Sequence, residues 1–457
     1  MPELLFNAFV MNTASHIQHG LWRHPFAQQV NFNDPSIWID LVKTLEEGLF
    51  DSIFFADVSG LYGPADADYS VYPREGLQIP SNDPSVLLSA LAVNTTHLGL
   101  AFTSSIMQEH PFNFARKVST LDHISNGRIA WNIVTSTQTN AARNYGLDEL
   151  PEHDARYKWA DEYVDVTYKL WEGSWDDGAL VRDKVAGIYA DPSKIHKIHH
   201  EGPRYQVEGP HLPSPSPQRT PLLFQAGGSP TGQAFAARNA EAVFIAAPSP
   251  SVAAEGIQRT RAIAETLGRR ATDIKFFQSL TFVVGTSEDD ARAREKELDR
   301  YISEAGFLAH MNYGIAADGT PYPPNTPLDE ITTNSSQGIL DWLKRSTPGR
   351  RPVVADLASL LTKRARVVGT PSQIAGELLR WQAAGVDGIN VVNWYIPGSY
   401  EEFIELALPE LRRRGLAKSQ YTPGTLRSKF FGEDFLPHRH PAARYRGAFT
   451  DTVAHGA

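Results

Sequence analysis

Short apolar runs alternate with amphipathic stretches along the whole chain, and this predicts strands and helices in turn. Leu4–Phe9 ("LLFNAF") reads as a strand and Ser36–Gly48 as a helix with a glycine stop. Asp51–Asp57 reads as a strand, and Asp83–Thr95 as a helix opened by Asp-Pro. Leu98–Ile106 and Arg128–Ser136 are the next strands, with a helix over Phe112–His123 between them and a long one, His153–Gly173, after them. In the second half the strands are Pro221–Gly228, Glu241–Pro248, Phe276–Gly285 and Asp387–Trp394. Helices over Thr231–Ala240, Val252–Leu267, Ser287–Ala305, Thr370–Gly385 and Tyr400–Arg414 accompany them.

Near-continuous apolar strands, each followed by helical pattern, predict a parallel sheet covered on both faces. Eight such units predict an α/β fold of the (β/α)8 TIM-barrel type, spanning 1–417 as one domain. An open doubly wound sheet is the alternative topology. Two stretches break the rhythm and read as long insertions, about 174–220 and 306–368. The first is rich in Pro and His, and the second holds a helical piece near Gly338–Leu343. Inserts of this length serve as lids or subunit contacts. Residues 418–457 form a C-terminal extension whose basic, aromatic "LPHRHPAARYRGAF" is expected to wrap the barrel or a neighbouring subunit.

Composition narrows the function. The formal net charge of −9 over 457 residues is spread along the chain, which argues against a nucleic-acid or anionic-membrane surface. There is no cysteine, hence no disulfide framework, cysteine-based metal site or cysteine nucleophile, as fits a cytoplasmic protein. No basic segment precedes a long apolar one at the N-terminus, and no apolar run reaches the ~18 residues of a membrane span.

In a barrel, chemistry collects where strands end. Asn12, Thr13 and His16 follow the first strand, and Asp57 and Tyr62 the second. Thr103 and Ser104 end the third, Asn132, Thr135 and Ser136 the fourth, Gly227, Gly228 and Ser229 the fifth, and Asn393 the eighth. This rim of hydroxyls and amides is poor in metal ligands and lacks a glycosidase's carboxylate pair. It suits a large polar ring system held by neutral hydrogen bonds; the bland alternative is helix capping. "FQAGGSPTG" places glycines at a strand end ahead of a helix N-terminus, a combination that binds phosphate, or else makes a tight turn. It lacks the Lys-Ser/Thr of a Walker loop. "EHDARY" is a second anion candidate, with His153, Arg156 and Tyr157 on a first helical turn. Histidines gather as His16, His19 and His24, and as His196, His199 and His200. Neither group carries the helical H-E-x-x-H spacing, so no metal site is expected; His19 and His24 read as bracing the first loop, and the second group as packing in the insert.

Longer stretches carry a family resemblance. "HGLWRHP", "FDSIFFADV", "STLDHISNGRIAWNIVTS", "EHDARY", "KLWEGSWDD", "PSPQRTPLLFQAG" and "RVVGTPSQIA" together resemble the flavin-dependent monooxygenases of the bacterial-luciferase superfamily. The group is that of nitrilotriacetate, dibenzothiophene-sulfone, dimethyl-sulfide and long-chain alkane monooxygenases, with the last two most alike. The resemblance runs from Phe6 to about Tyr445. It implies a barrel with inserts, and reduced FMN as co-substrate supplied by a separate NAD(P)H:flavin reductase. O2 would be activated as a flavin peroxide that oxygenates a small apolar substrate, in a homodimer or homotetramer. It implies flavin contacts at Asp57, Thr103, Asn132, Ser136, His153, Tyr157, Gly228 and Ser229, with His153, Tyr157 and Ser229 at the phosphate end. It implies catalytic pocket residues at His16, Tyr62 and His310. The chain departs from the alkane-type pattern at Thr13, where that pattern has cysteine, and at Thr137, where it has histidine. A hydroxyl cannot replace a histidine as acid or base near neutral pH, so the substrate stays open among alkanes, organosulfur compounds and aromatic or heterocyclic molecules. Other readings are a deazaflavin-dependent oxidoreductase on the same barrel, a metal-dependent barrel hydrolase and a non-catalytic flavin-binding protein.

Overall fold

A computed structural model of the chain describes residues 2–62, 68–310, 320, 322–331, 350–363 and 365–450. Eight strands form its centre: β1 (Leu5–Met11), β2 (Ser52–Ala56), β3 (Gly99–Ser105), β4 (Ile129–Val134), β5 (Leu222–Gln225), β6 (Ala242–Ile245), β7 (Lys275–Val284) and β8 (Gly388–Val392). They pair in parallel in that order, and β8 returns to β1, with Phe9 opposite both Phe54 and Val392. The ring is therefore closed, and the open-sheet alternative falls away. Each strand meets the two faces of the ring with alternate residues. Phe9, Phe54, Phe224 and Phe277 fill the inside, while helices cover the outside.

The helices begin where the sequence signals a start. Asp34 and Asp83 each accept a hydrogen bond from the backbone two residues on, with proline at the first helical position. Thr370 and Gln373 form a reciprocal capping box. The helix expected over His153–Gly173 is regular over His153–Tyr168 and ends in a π-helical turn, Lys169–Gly173.

Three features depart from the pattern reading. The single helix expected over Ser287–Ala305 is two, Glu288–Asp299 and Glu304–Ala309, because Ser303 caps a fresh start by accepting from Gly306 N–H at 3.0 Å. A short strand, Arg366–Gly369, pairs with Thr281–Val284 of β7 outside the ring, where the reading had only insertion. The helical piece expected near Gly338–Leu343 lies outside the described residues. In the other insertion the chain forms two small antiparallel hairpins, Leu180–Asp183 with Ile188–Ala190 and His200–Glu201 with Gln206–Val207.

The C-terminal extension runs over its own barrel. Its helix Leu426–Phe431 pushes Leu426 and Phe430 into the aromatic interior at the N-terminal ends of the strands. Phe430 stacks on Phe277 at 5.8 Å. Arg427, buried beside them, donates to Glu241 at 2.7 and 2.9 Å and to the carbonyls of Gln218, Thr220 and Pro221. Arg439, Arg444 and Arg446 then pin the chain to Asp273, Asp165 and Glu172. One end of the barrel is thus sealed, and the site sits at the other. Among the described residues no helix is long and apolar enough to cross a membrane.

Candidate active site

The C-terminal ends of β2 to β5 surround a cavity of about 220 Å³. Asp57, Tyr62, Thr103, Ser136, Thr137, His153 and Tyr157 all line it, although they come from three separate βα units. Register explains part of this. Thr103 stands opposite Asn132, whose Nδ2 donates to Thr103 Oγ1 at 3.0 Å, so Asn132 lies directly behind the wall. Ser136 follows β4 in a left-handed conformation, φ 57°, and donates to Ser105 Oγ at 2.8 Å.

At one end, two segments about seventy residues apart in the chain meet. Ser229 caps the helix Pro230–Asn239 by accepting from Gly232 N–H, and its Oγ lies 3.1 Å from His153 Nε2. His153 opens the helix His153–Tyr168, its Nδ1 is 2.8 Å from Asp154, and its ring packs on Tyr157. The Tyr157 hydroxyl also bonds Ser229 and Gln225. A Cβ on Gly232 would lie 2.7 Å from Tyr157 Oη, so only glycine lets the two helix starts come this close. A Cβ on Gly228 would meet nothing within 4 Å. Two helix N-termini, with their free N–H groups and positive dipole ends, therefore converge on one spot.

The other end is aromatic, with imidazoles packed behind the wall. Tyr62 hydrogen-bonds Gln138 and Gln78, and burial pushes its hydroxyl up to about 12. The His310 ring stands edge-on to Tyr62, centroids 5.2 Å apart. His16 rests on Phe9 of the barrel interior at 4.8 Å, and its Nδ1 is buried with no partner among the described residues. Burial, and secondarily His310, pushes His16 down to about 3; burial alone takes His310 to about 4. Both rings are neutral over the physiological range. Asp57 goes the other way. Burial first, then the Asp83 charge, lifts its carboxyl to about 7, and Gln108 Nε2 at 3.4 Å offsets little.

Thr13, Asn132, His16, His310, Gly228 and Ser229 do not line the cavity itself. Thr13 is buried and spends its hydroxyl on the Pro80 carbonyl at 2.7 Å, whereas Thr137 is on the cavity wall. His19, read as a loop brace, is hydrogen-bonded to His310 at 2.8 Å. The wall also includes Gln108, Gln138, Gln225 and Arg156. Gln225 was missed from the sequence, although it is the polar end of "PLLFQAGG"; the other glutamines carry no local signal. The second histidine group is engaged in the insert, His196 with Asp176 and His200 with Lys169.

This arrangement can be compared with known proteins. A family model described as luciferase-like monooxygenase matches residues 11–388. The chain belongs to the luciferase-like monooxygenase family. This luciferase-like monooxygenase is 43% identical over 452 residues to the long-chain alkane monooxygenase of Geobacillus thermodenitrificans, covering 97% of this chain and 98% of that one. It is 41% identical over 456 residues to the dimethyl-sulfide monooxygenase of Hyphomicrobium sulfonivorans, covering 98% and 94%. Among solved structures, it superposes with a TM-score of 0.89 and 35% identity on a riboflavin lyase crystallised with modified FMN and riboflavin, covering 97% of this chain and 99% of that one.

Proposed function

We propose that this monooxygenase uses reduced FMN and O2 to oxygenate a small apolar molecule, and that a separate NAD(P)H-driven flavin reductase supplies the reduced flavin. The observation that carries the reading is the meeting of His153, Tyr157 and Ser229 at two helix N-termini, at one end of a cavity whose other end holds the Tyr62 phenol, with His310 packed behind it. That is a phosphate end and a ring end. The residues fit the cofactor on a second count. Asn132 Oδ1, Gln225 Oε1 and Arg156 Nε are buried without a partner among the described residues, although buried polar atoms are normally satisfied. A polar ligand reaching the wall would satisfy them.

Reduced flavin supplies the electrons and the oxygen activation when bound. The chain does the rest. Ser229, His153, Tyr157 and the open backbone at Gly228 hold the phosphate. Thr103, Asn132 and Ser136 offer hydroxyl and amide groups to the ring and ribityl chain. Asp57 changes from donor to acceptor as it ionises near neutral pH. His16, Tyr62 and His310 stand over the reacting side as neutral groups, able to donate a hydrogen bond without bringing a charge into an apolar pocket. Thr13 and Thr137 shape the substrate side. Candidate substrates are alkanes, organosulfur compounds and aromatic or heterocyclic molecules, and the relatives named as alkane and dimethyl-sulfide monooxygenases support the first two. A dimer or tetramer is the assembly we propose, supported by Val86 and Val93, left about three-quarters exposed on an apolar helix.

Anaerobic titration tests the cofactor. Reduced FMN should bind more tightly than oxidised FMN, and oxygenated product should form only when a reductase or chemically reduced FMN is present. Product formation in the absence of any flavin would overturn the reading.

A further inference from the structure

His19 stands off the cavity wall, fully buried, with two polar atoms against its ring. Ser15 Oγ is 3.1 Å from Nδ1, and His310 Nδ1 is 2.8 Å from Nε2. The helix that delivers His310, Glu304–Ala309, is seated on this residue. Ser303 N–H donates to the His19 carbonyl at 2.9 Å, and Phe307 meets the imidazole edge-on at 4.9 Å. A Cβ on Gly306 would lie 2.8 Å from His19 Cβ, so the approach needs glycine.

A neutral imidazole carries one proton on one of its two nitrogens. Burial holds both His19 and His310 neutral. Two proton arrangements then satisfy the two contacts. In one, Ser15 O–H donates to His19 Nδ1, His19 Nε2–H donates to His310 Nδ1, and His310 keeps its proton on Nε2. In the other, every bond is reversed and His310 Nε2 is bare. Among the described residues Ser15 Oγ has no other hydrogen-bond partner, so the reversed arrangement leaves its buried hydroxyl proton without an acceptor. A buried donor left unsatisfied disfavours that arrangement. We propose that His19 is a positioning residue, which with Ser15 holds His310 in the tautomer protonated on Nε2. His310 then presents a standing N–H donor on the side of its ring away from His19. The consequence for catalysis rests on the proposed placement of His310 at the reacting side; the tautomer itself does not.

The test is NMR of the full-length protein labelled with 15N-histidine, with the His310 signals identified by their loss in His310→Asn. Two-bond couplings should show His310 with Nε2 protonated and Nδ1 bare between about pH 6 and pH 9. His19→Leu should abolish that preference. His19→Gln, whose amide can donate in place of Nε2–H, should restore it. Ser15→Ala should admit the opposite tautomer, and it decides the matter should His19→Leu fail to fold. A wild-type His310 protonated on Nδ1, or a tautomer unmoved by both His19→Leu and Ser15→Ala, would overturn the proposal. Turnover of His19→Leu should fall about 10- to 100-fold, the size of effect seen when a metal-bound imidazole loses the partner that orients it. Undiminished turnover with the tautomer lost would support the hydrogen-bond chain and fault the placement of His310 at the reaction.

Discussion

Replacing Asp57 by asparagine should make the protein more stable, and only above acidic pH. The Asp57 carboxyl has an ordinary value of 3.8 and is lifted to about 7 by burial and by Asp83. Above about 3.8 the unfolded chain releases this proton, while the folded chain keeps it up to about 7. The folded state is therefore penalised progressively as pH rises through that window, with the stability fully present below it. Each pH unit is worth about 1.4 kcal/mol, so from pH 5 to pH 7 the wild type loses at most about 3 kcal/mol through this one group. Asp57 lines a cavity and retains some solvent contact, which reduces the figure to about 1–3 kcal/mol. Asparagine is neutral in both states and carries no such dependence. Urea unfolding of both flavin-free proteins at about pH 5 and pH 8 isolates the effect, because every other titration cancels in the double difference. The wild type should lose about 1–3 kcal/mol more than the variant between the two pH values. Equal losses would refute the reasoning and place the Asp57 pKa near its ordinary value.

Other substitutions test separate parts of the site and scaffold. Gly232→Ala forces a methyl against Tyr157 Oη and should cost about 1–3 kcal/mol in thermal or urea unfolding, with weaker FMN binding by fluorescence titration. Gly228→Ala meets open space, so its folding stability should match wild type while its FMN affinity falls if the phosphate lies there. His16→Ala should leave FMN binding intact and cut product formation in a reductase-coupled assay; full activity would remove His16 from the chemistry. Arg427→Met strands the buried Glu241 carboxylate and should destabilise by about 3–5 kcal/mol in the same unfolding assay.

The barrel was legible because its strands are near-continuous apolar runs and several of its helices are announced by Asp-Pro or Ser-Pro. The meeting of His153 and Ser229 joins two stretches that each read as an anion candidate, but only the family resemblance put them at one end. Other features left no local trace. Arg366–Gly369 is short, half-buried and opens with a charge, so it resembles loop. The break at Ser303 was hidden by an amphipathic pattern that continues across it. His19 looked like a brace because its partner is 291 residues away, and spacing from His16 says nothing of that contact. Gln108 and Gln138 belong to no motif; only the folded rim shows them to be bonding groups. The departure at Thr13 also reads differently once folded. Its hydroxyl already serves Pro80, so Thr137, on the cavity wall, is the better placed of the two to touch a substrate.

The seal formed by Leu426, Arg427 and Phe430 has a consequence for biosynthesis. A ribosome delivers β1 first, yet β1 gains its second neighbour only when β8 emerges, and the floor of the ring is filled by a helix made some thirty residues later still. Until then the nascent polypeptide exposes a phenylalanine-lined funnel at its lower mouth. Closing and flooring the ring therefore depend on its last elements, and a chain that has yet to make them exposes apolar surface of the kind chaperones bind.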